Sequence, residues 1–98
     1  MYGLIGSFKC VAGKRSEVAR LMLADTGIPA GCLSFVVAED PVDADLLWMT
    51  EVWVDAAAHK ASLEIPRVKA VIAQAMPLIV SFGMHQETRP LGGIHVGD

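Results

Sequence analysis

Ninety-eight residues with eight basic and eleven acidic side chains, a net charge of −3, leave room for one domain over 1–98 and offer no basic stripe for nucleic acid. Hydrophobic residues make up 53% of the chain, above the ~45–50% of ordinary soluble domains, yet the apolar runs are short and broken by Asp, Glu, Lys or Pro, which excludes a membrane helix of ~18 or more apolar residues. The excess is therefore expected to be covered by a partner surface, and a second copy of the same chain is the simplest partner.

The first predicted element is a strand over Tyr2–Cys10, with Leu4, Phe8 and Cys10 on one face and Ile5, Ser7 and Lys9 on the other. Its opening residues, MYGLIGSF, lack the basic start and long apolar stretch of a secretory signal. The expected compartment is the cytoplasm, where Cys10 and Cys32 stay reduced. Gly13 and Lys14 mark a break and a helix entry. Val18, Leu21 and Met22 follow at helical spacing, against a wet face of Lys14, Arg15, Glu17 and Arg20. This helix is expected to end near Asp25, because Thr26, Gly27, Ile28 and Pro29 read as a stop and a loop.

A second strand is predicted over Gly31–Glu39, with Leu33, Phe35 and Val37 alternating with Cys32, Ser34 and Val36. The polar stretch from Asp40 to Asp45 turns the chain into a third strand, Leu46–Val54. There Leu47, Met49, Glu51 and Trp53 share one face, and Leu46, Trp48, Thr50, Val52 and Val54 the other. Both faces carry bulk, so both are expected to be covered. Asp55 is a good N-cap for a second helix that opens on three alanines. Pro66 suits the first turn of a new helical segment, in which Val68, Val71, Ile72 and Ala75 form an apolar stripe before Pro77 closes it. The fourth strand is predicted over Ile79–Thr88, with Val80, Phe82 and Met84 facing one way and Ser81, His85 and Glu87 the other. A glycine-rich tail over 89–98 is expected to be flexible.

Strand, helix, strand, strand, helix, strand is the βαββαβ order of an α+β, ferredoxin-like domain with an antiparallel four-stranded sheet. Both helices must cover one face, which leaves the other for the sheet face of a homodimer. In the usual strand order the third strand separates the first from the second, so Cys10 and Cys32 are expected ~10 Å apart and outside disulfide reach. His59, His85 and His95 are far apart in sequence and no cluster has metal-ligand spacing, so no metal is expected.

Several segments resemble those of antibiotic biosynthesis monooxygenase domains. Gly13-Lys14-Arg15-Ser16-Glu17 resembles the loop-to-helix start, and Pro29-Ala30-Gly31-Cys32-Leu33 is similar to a PGC-type entry into the second strand. Glu51-Val52-Trp53, followed by Asp55 and Ala58-His59, resembles an E-x-W and A-H segment. Pro66, then Pro77-Leu78-Ile79, resembles the end of the second helix, and Glu87 to Gly93 a common exit from the last strand. The resemblance runs over residues 2 to 93. It implies a dimeric α/β barrel, and an activity in which an anthrone, quinol or other phenol is oxidised by O₂ without metal, flavin or other cofactor. The chain contains no Asn, carries Tyr2 as its single tyrosine, and has Ser62 where a second histidine of an A-H-x-x-H segment is common. These departures point away from the haem-degrading members of the family.

An electron-rich phenolate can pass an electron to O₂ itself, so such a protein needs an aromatic-walled pocket and one or two polar groups. His59, near the start of the second helix, is the candidate acid or base, with a partly exposed helix histidine as the plain alternative. Ser62, three residues on, shares its side of the helix and is placed to orient His59 or a ligand. Trp53 and Phe82 are candidate pocket walls, with core or interface packing as the alternative. Glu51 is a candidate orienting carboxylate, or one half of an ion pair across the sheet or the dimer. The rival function is a non-catalytic dimeric α/β barrel that binds a small molecule or a partner protein. A lesser one is an isomerase or lyase using His59.

Overall fold

The computed structural model describes residues 1–24 and 27–94. In chain order the elements are β1 (Tyr2–Cys10), α1 (Arg15–Met22), β2 (Cys32–Glu39), β3 (Leu46–Trp53), α2 (Ala56–Ser62), α3 (Pro66–Ala75) and β4 (Ile79–Thr88), with a 3-10 turn at Met76–Leu78. Asp25, the expected end of the first helix, and the last four residues of the expected flexible tail lie outside the described residues. The strands form one antiparallel sheet in the order β2-β3-β1-β4. The fold is the expected ferredoxin-like α+β arrangement.

Local chemistry explains the boundaries on the helical side. The Asp55 carboxylate accepts the Ala58 N–H at 2.8 Å and so caps α2. Pro66 stands at the first helical position of α3, where its missing N–H costs nothing. Gly31, just before β2, has φ +83, a conformation a side chain resists. A Cβ there would lie 2.7 Å from Ala58 Cβ and 2.9 Å from Val54 Cγ2. The Gly31 carbonyl also accepts the Val54 N–H at 2.9 Å. One glycine therefore lets the entry to β2, the exit from β3 and the first turn of α2 pack together.

The core sits at one end of the helix-to-sheet space. Phe8, Cys10, Val18 and Leu47 are buried together there, under α1. At the other end Tyr2 lies opposite Trp53 on β3, and Trp53 lies opposite Cys32 on β2. Cys10 and Cys32 are thus at opposite ends of the sheet. The expected ~10 Å counted only the strand spacing and not the offset along the strands. Both cysteines are free.

Two departures from strict alternation re-aim side chains. In β2 the pairing steps from Cys32 opposite Trp53 to Ser34 opposite Val52, so Leu33 is an extra residue. Cys32 therefore shares the helix-covered face with Phe35 and Val37, instead of opposing them as the period of two predicts. In β4 the pairing steps from His85 opposite Gly6 to Phe82 opposite Phe8, and again from Ser81 opposite Lys9 to Ile79 opposite Cys10. The first irregularity is fastened by Ser7, a buried residue whose Oγ accepts the Met84 N–H at 2.7 Å. It leaves Phe82, His85 and Glu87 on one face, which corrects the expected split between Phe82 and the other two. That shared face is the one the helices cover, because Phe8 and Leu4, their partners on β1, are core residues.

The open face carries Ile5, Trp48 and Val52, all half-buried, and Val36, which is 50% exposed. Other exposed apolar side chains gather on β4 (Val80, Phe82, Met84) and on the loop after α1 (Leu23, Ile28). Among the described residues, no helix is long and apolar enough to cross a membrane.

Candidate functional site

Between the sheet and the helices lies a cavity of about 710 Å³, within the ~300–1,000 Å³ range of small-ligand sites. Its floor is the helix-covered face of the sheet, from Leu4 and Phe8 through Met49 to Cys32 and Phe35. Its roof is the apolar stripe of α3, with Val68, Val71 and Ile72 contributing directly. Phe82, Met84 and His85 line the side next to the β4 edge, and Ile28 and Pro29 the side next to the loop after α1.

Polar chemistry is concentrated at the end beyond the core. Glu51 is only 6% exposed, although it carries a carboxylate. Its position two residues before Trp53 on the same strand face lets Trp53 Nε1–H donate to Glu51 Oε1 at 3.0 Å. His59, on the second turn of α2, brings Nε2 to 4.0 Å from the same oxygen. Its ring stands edge-on to Trp53, with centroids 5.5 Å apart. The Tyr2 ring lies at the same centroid distance on another side of the imidazole. Burial pushes the Glu51 carboxyl above the usual carboxylate range, against the Trp53 hydrogen bond and the His59 imidazole, which pull it down. Burial also raises the Tyr2 hydroxyl, as do the Glu87 and Glu51 carboxylates nearby. The Cys32 thiol is raised by burial and then by Glu51.

The residues expected from sequence are all found around this space, each in a particular setting. Glu51, Trp53 and His59 form one cluster. Ser62 lines the cavity but spends its hydroxyl on the His59 backbone carbonyl, to which it donates at 2.6 Å. Its link to His59 therefore runs through the helix backbone. Phe82 is 66% exposed and tilts against Phe8 with ring centroids 6.5 Å apart, so it stands at the rim. Tyr2, Cys32 and His85 also belong to the surroundings of the site, and period-two counting did not point to them. Tyr2 follows from pairing β1 against Trp53; Cys32 and His85 depend on the two irregular registers.

Chemically, this arrangement offers an apolar slot closed at one end by an acceptor carboxylate, an imidazole and an indole edge. It can hold a flat apolar ring system and receive a proton from a hydroxyl at that end. Among the described residues, no group of three or more His, Cys, Asp or Glu gathers in a way that could hold a metal ion.

Comparison with known proteins supplies a family. The family model described as antibiotic biosynthesis monooxygenase matches residues 1–74. A solved protein of Chloroflexus aurantiacus, provisionally described as an antibiotic biosynthesis monooxygenase, is 44% identical, with 98% of each chain covered and a TM-score of 0.93. A Deinococcus radiodurans protein under the same provisional description is 20% identical over 100% of both chains, with a TM-score of 0.77. One from Caulobacter crescentus, again so described, is 16% identical, covering 93% of this chain and 90% of its own, with a TM-score of 0.81. The last two show the fold alone. No curated protein matches the chain.

Proposed function

Because this chain belongs to the antibiotic biosynthesis monooxygenase family, we propose that it oxidises a small hydroxylated aromatic, of the phenol, quinol or anthrone type, with O₂ and with no metal, flavin or other cofactor. The observation that carries the reading is the cluster of Glu51, Trp53 and His59 at the closed end of an apolar cavity. The reading also takes the domain as a homodimer through the open face of the sheet, working in the cytoplasm.

In this account the substrate ring lies in the apolar slot with Trp53 and Phe82 among its walls, and its hydroxyl or enol points to Glu51 and His59. His59 takes the hydroxyl proton. Glu51, when ionised, favours the resulting imidazolium across the 4.0 Å between them. The substrate anion passes one electron to O₂, and the carbon radical and superoxide then combine into a carbon–oxygen bond. His59 returns its proton to the peroxide. Loss of the carbon-bound proton and cleavage of the O–O bond release water and leave a quinone. One oxygen atom ends in the quinone and the other in water. Ser62 holds the His59 turn in place through its bond to the backbone carbonyl.

Oxygen uptake by purified, metal-stripped protein, with a panel of hydroquinones and anthrones, tests the proposal. Spontaneous oxidation is subtracted, and wild type is compared with His59→Ala. Loss of a general acid–base group lowers the rate by roughly 10²–10⁴-fold. Uptake above background that His59→Ala reduces to this extent supports the reading. Uptake that His59→Ala leaves intact removes His59 from the chemistry, and no uptake across the panel turns the reading toward non-catalytic binding of a small molecule or a partner.

A further inference from the structure

On the premise that the cavity is the hydroxyarene site proposed above, we infer that it selects neutral ligands and turns away anionic ones, and that Glu51 sets this preference. Among the described residues, the lining includes one carboxylate, Glu51, and no Lys or Arg. Several basic side chains of the domain are engaged elsewhere: Lys9 with Asp43, Arg15 with Glu39 and Lys69 with Glu64. The Arg67 guanidinium packs beside Gly27, and Arg67 is not part of the wall. The imidazoles His59 and His85 are the lining's basic groups. His59 faces Glu51, with Nε2 at 4.0 Å from Oε1. A ligand anion entering the slot would meet the Glu51 carboxylate with no Lys or Arg beside it to offset the repulsion.

The size of the effect follows from distance and dielectric. With its hydroxyl at Glu51, a ligand carrying a sulfonate at the far end of the ring system holds that charge ~10 Å from the carboxylate, and at an effective dielectric constant of ~20 the repulsion weakens binding on the order of tenfold. Glu51 and Cys32 are both wall residues, so the carboxylate borders the space a ligand would enter. A neutral hydroxyarene avoids that repulsion and brings a donor. Glu51 Oε1 accepts Trp53 Nε1–H, and a carboxylate has room for further donors. An apolar slot already disfavours an anion through desolvation; the share set by Glu51 is the part of the preference that removing its charge abolishes.

Calorimetric titration at neutral pH with non-oxidisable probes tests the inference apart from turnover. The probes are 2-naphthol, its 6-sulfonate and its 6-sulfonamide, the last being a neutral group of nearly the same size as the sulfonate. Wild type should bind the sulfonamide at least about tenfold more tightly than the sulfonate, and Glu51→Gln should reduce that ratio by most of its value. Equal or tighter binding of the sulfonate by wild type would overturn the inference, and so would a ratio that Glu51→Gln leaves unchanged. If Glu51→Gln does not fold, Glu51→Ala, which also removes the charge, makes the same comparison with the same two outcomes. Binding of none of the three overturns the inference together with the site reading beneath it. A clear preference for neutral probes without O₂ uptake would keep the inference and overturn only the oxygenase chemistry.

Discussion

Glu51 is the residue on which the electrostatics of the domain turn. It is buried, and its carboxyl is held above the ordinary value of 4.5, first by desolvation. In acid below that value the group is neutral in both folded and unfolded states and costs no stability. As pH rises through the raised folded-state value, ionising it in place opposes folding, so its contribution falls toward neutrality. Glu51→Gln should therefore match wild type in acid and become the more stable of the two as pH rises to neutral, as read by thermal unfolding across that range. A constant difference at every pH would contradict the assignment. The same variant should oxidise substrate more slowly at neutral pH, because Gln cannot favour a His59 imidazolium. The cluster was legible in the sequence for a simple reason: Glu51 and Trp53 are two apart on one strand face, and Asp55 starts the helix that carries His59. Tyr2 was not, because its place beside His59 depends on which strands pair.

Elements hold that cluster in register, and the junction at Gly31 is the most constrained. An added methyl there would meet Ala58 and Val54 in a backbone conformation that already favours glycine. Gly31→Ala should cost roughly 2 kcal/mol or more, combining an unfavourable positive φ with overpacking. Urea unfolding would read this as a lower midpoint at unchanged slope. Because the contact is with the first turn of α2, the variant should also lose oxidase rate in the part that remains folded. An unchanged midpoint would show that α2 has freedom to move aside. At this scale the sequence was a good guide to where elements lie: β1 and β4 have the bounds read from their alternation, and α3 begins at Pro66 as its proline signals. It was a poor guide to faces within β2 and β4. A single extra residue inverts every side chain beyond it, and neither Leu33 nor the Gly83–Met84 step announces a bulge. The alternation count therefore split Phe82 from His85, which the registers put on one face.

For the whole molecule, the apolar excess is distributed differently from the expectation that sent it to the open sheet face. Much of it lines or rims the cavity, on β4 and on the loop after α1. The open face is mixed, with Val36 and Trp48 beside Thr50, and the Trp48 indole donates to Asp40 at 2.9 Å. That face remains the proposed homodimer interface. Light scattering should give twice the 10.4 kDa of one chain, and Val36→Lys, which sets a charge on the β2 edge strand of that face, should shift the mass toward one chain. A wild-type monomer at micromolar concentration would contradict the assignment, and a dimer untouched by Val36→Lys would move the interface to the β4 edge. The most direct test of the central claim is the fate of O₂ itself. Turnover of a quinol or anthrone by metal-stripped protein under heavy-isotope O₂, followed by mass spectrometry of the product and the water, should place one labelled atom in the quinone and the other in water. A quinone without label, with the oxygen recovered as hydrogen peroxide, would show electron transfer without oxygen insertion and would contradict the account.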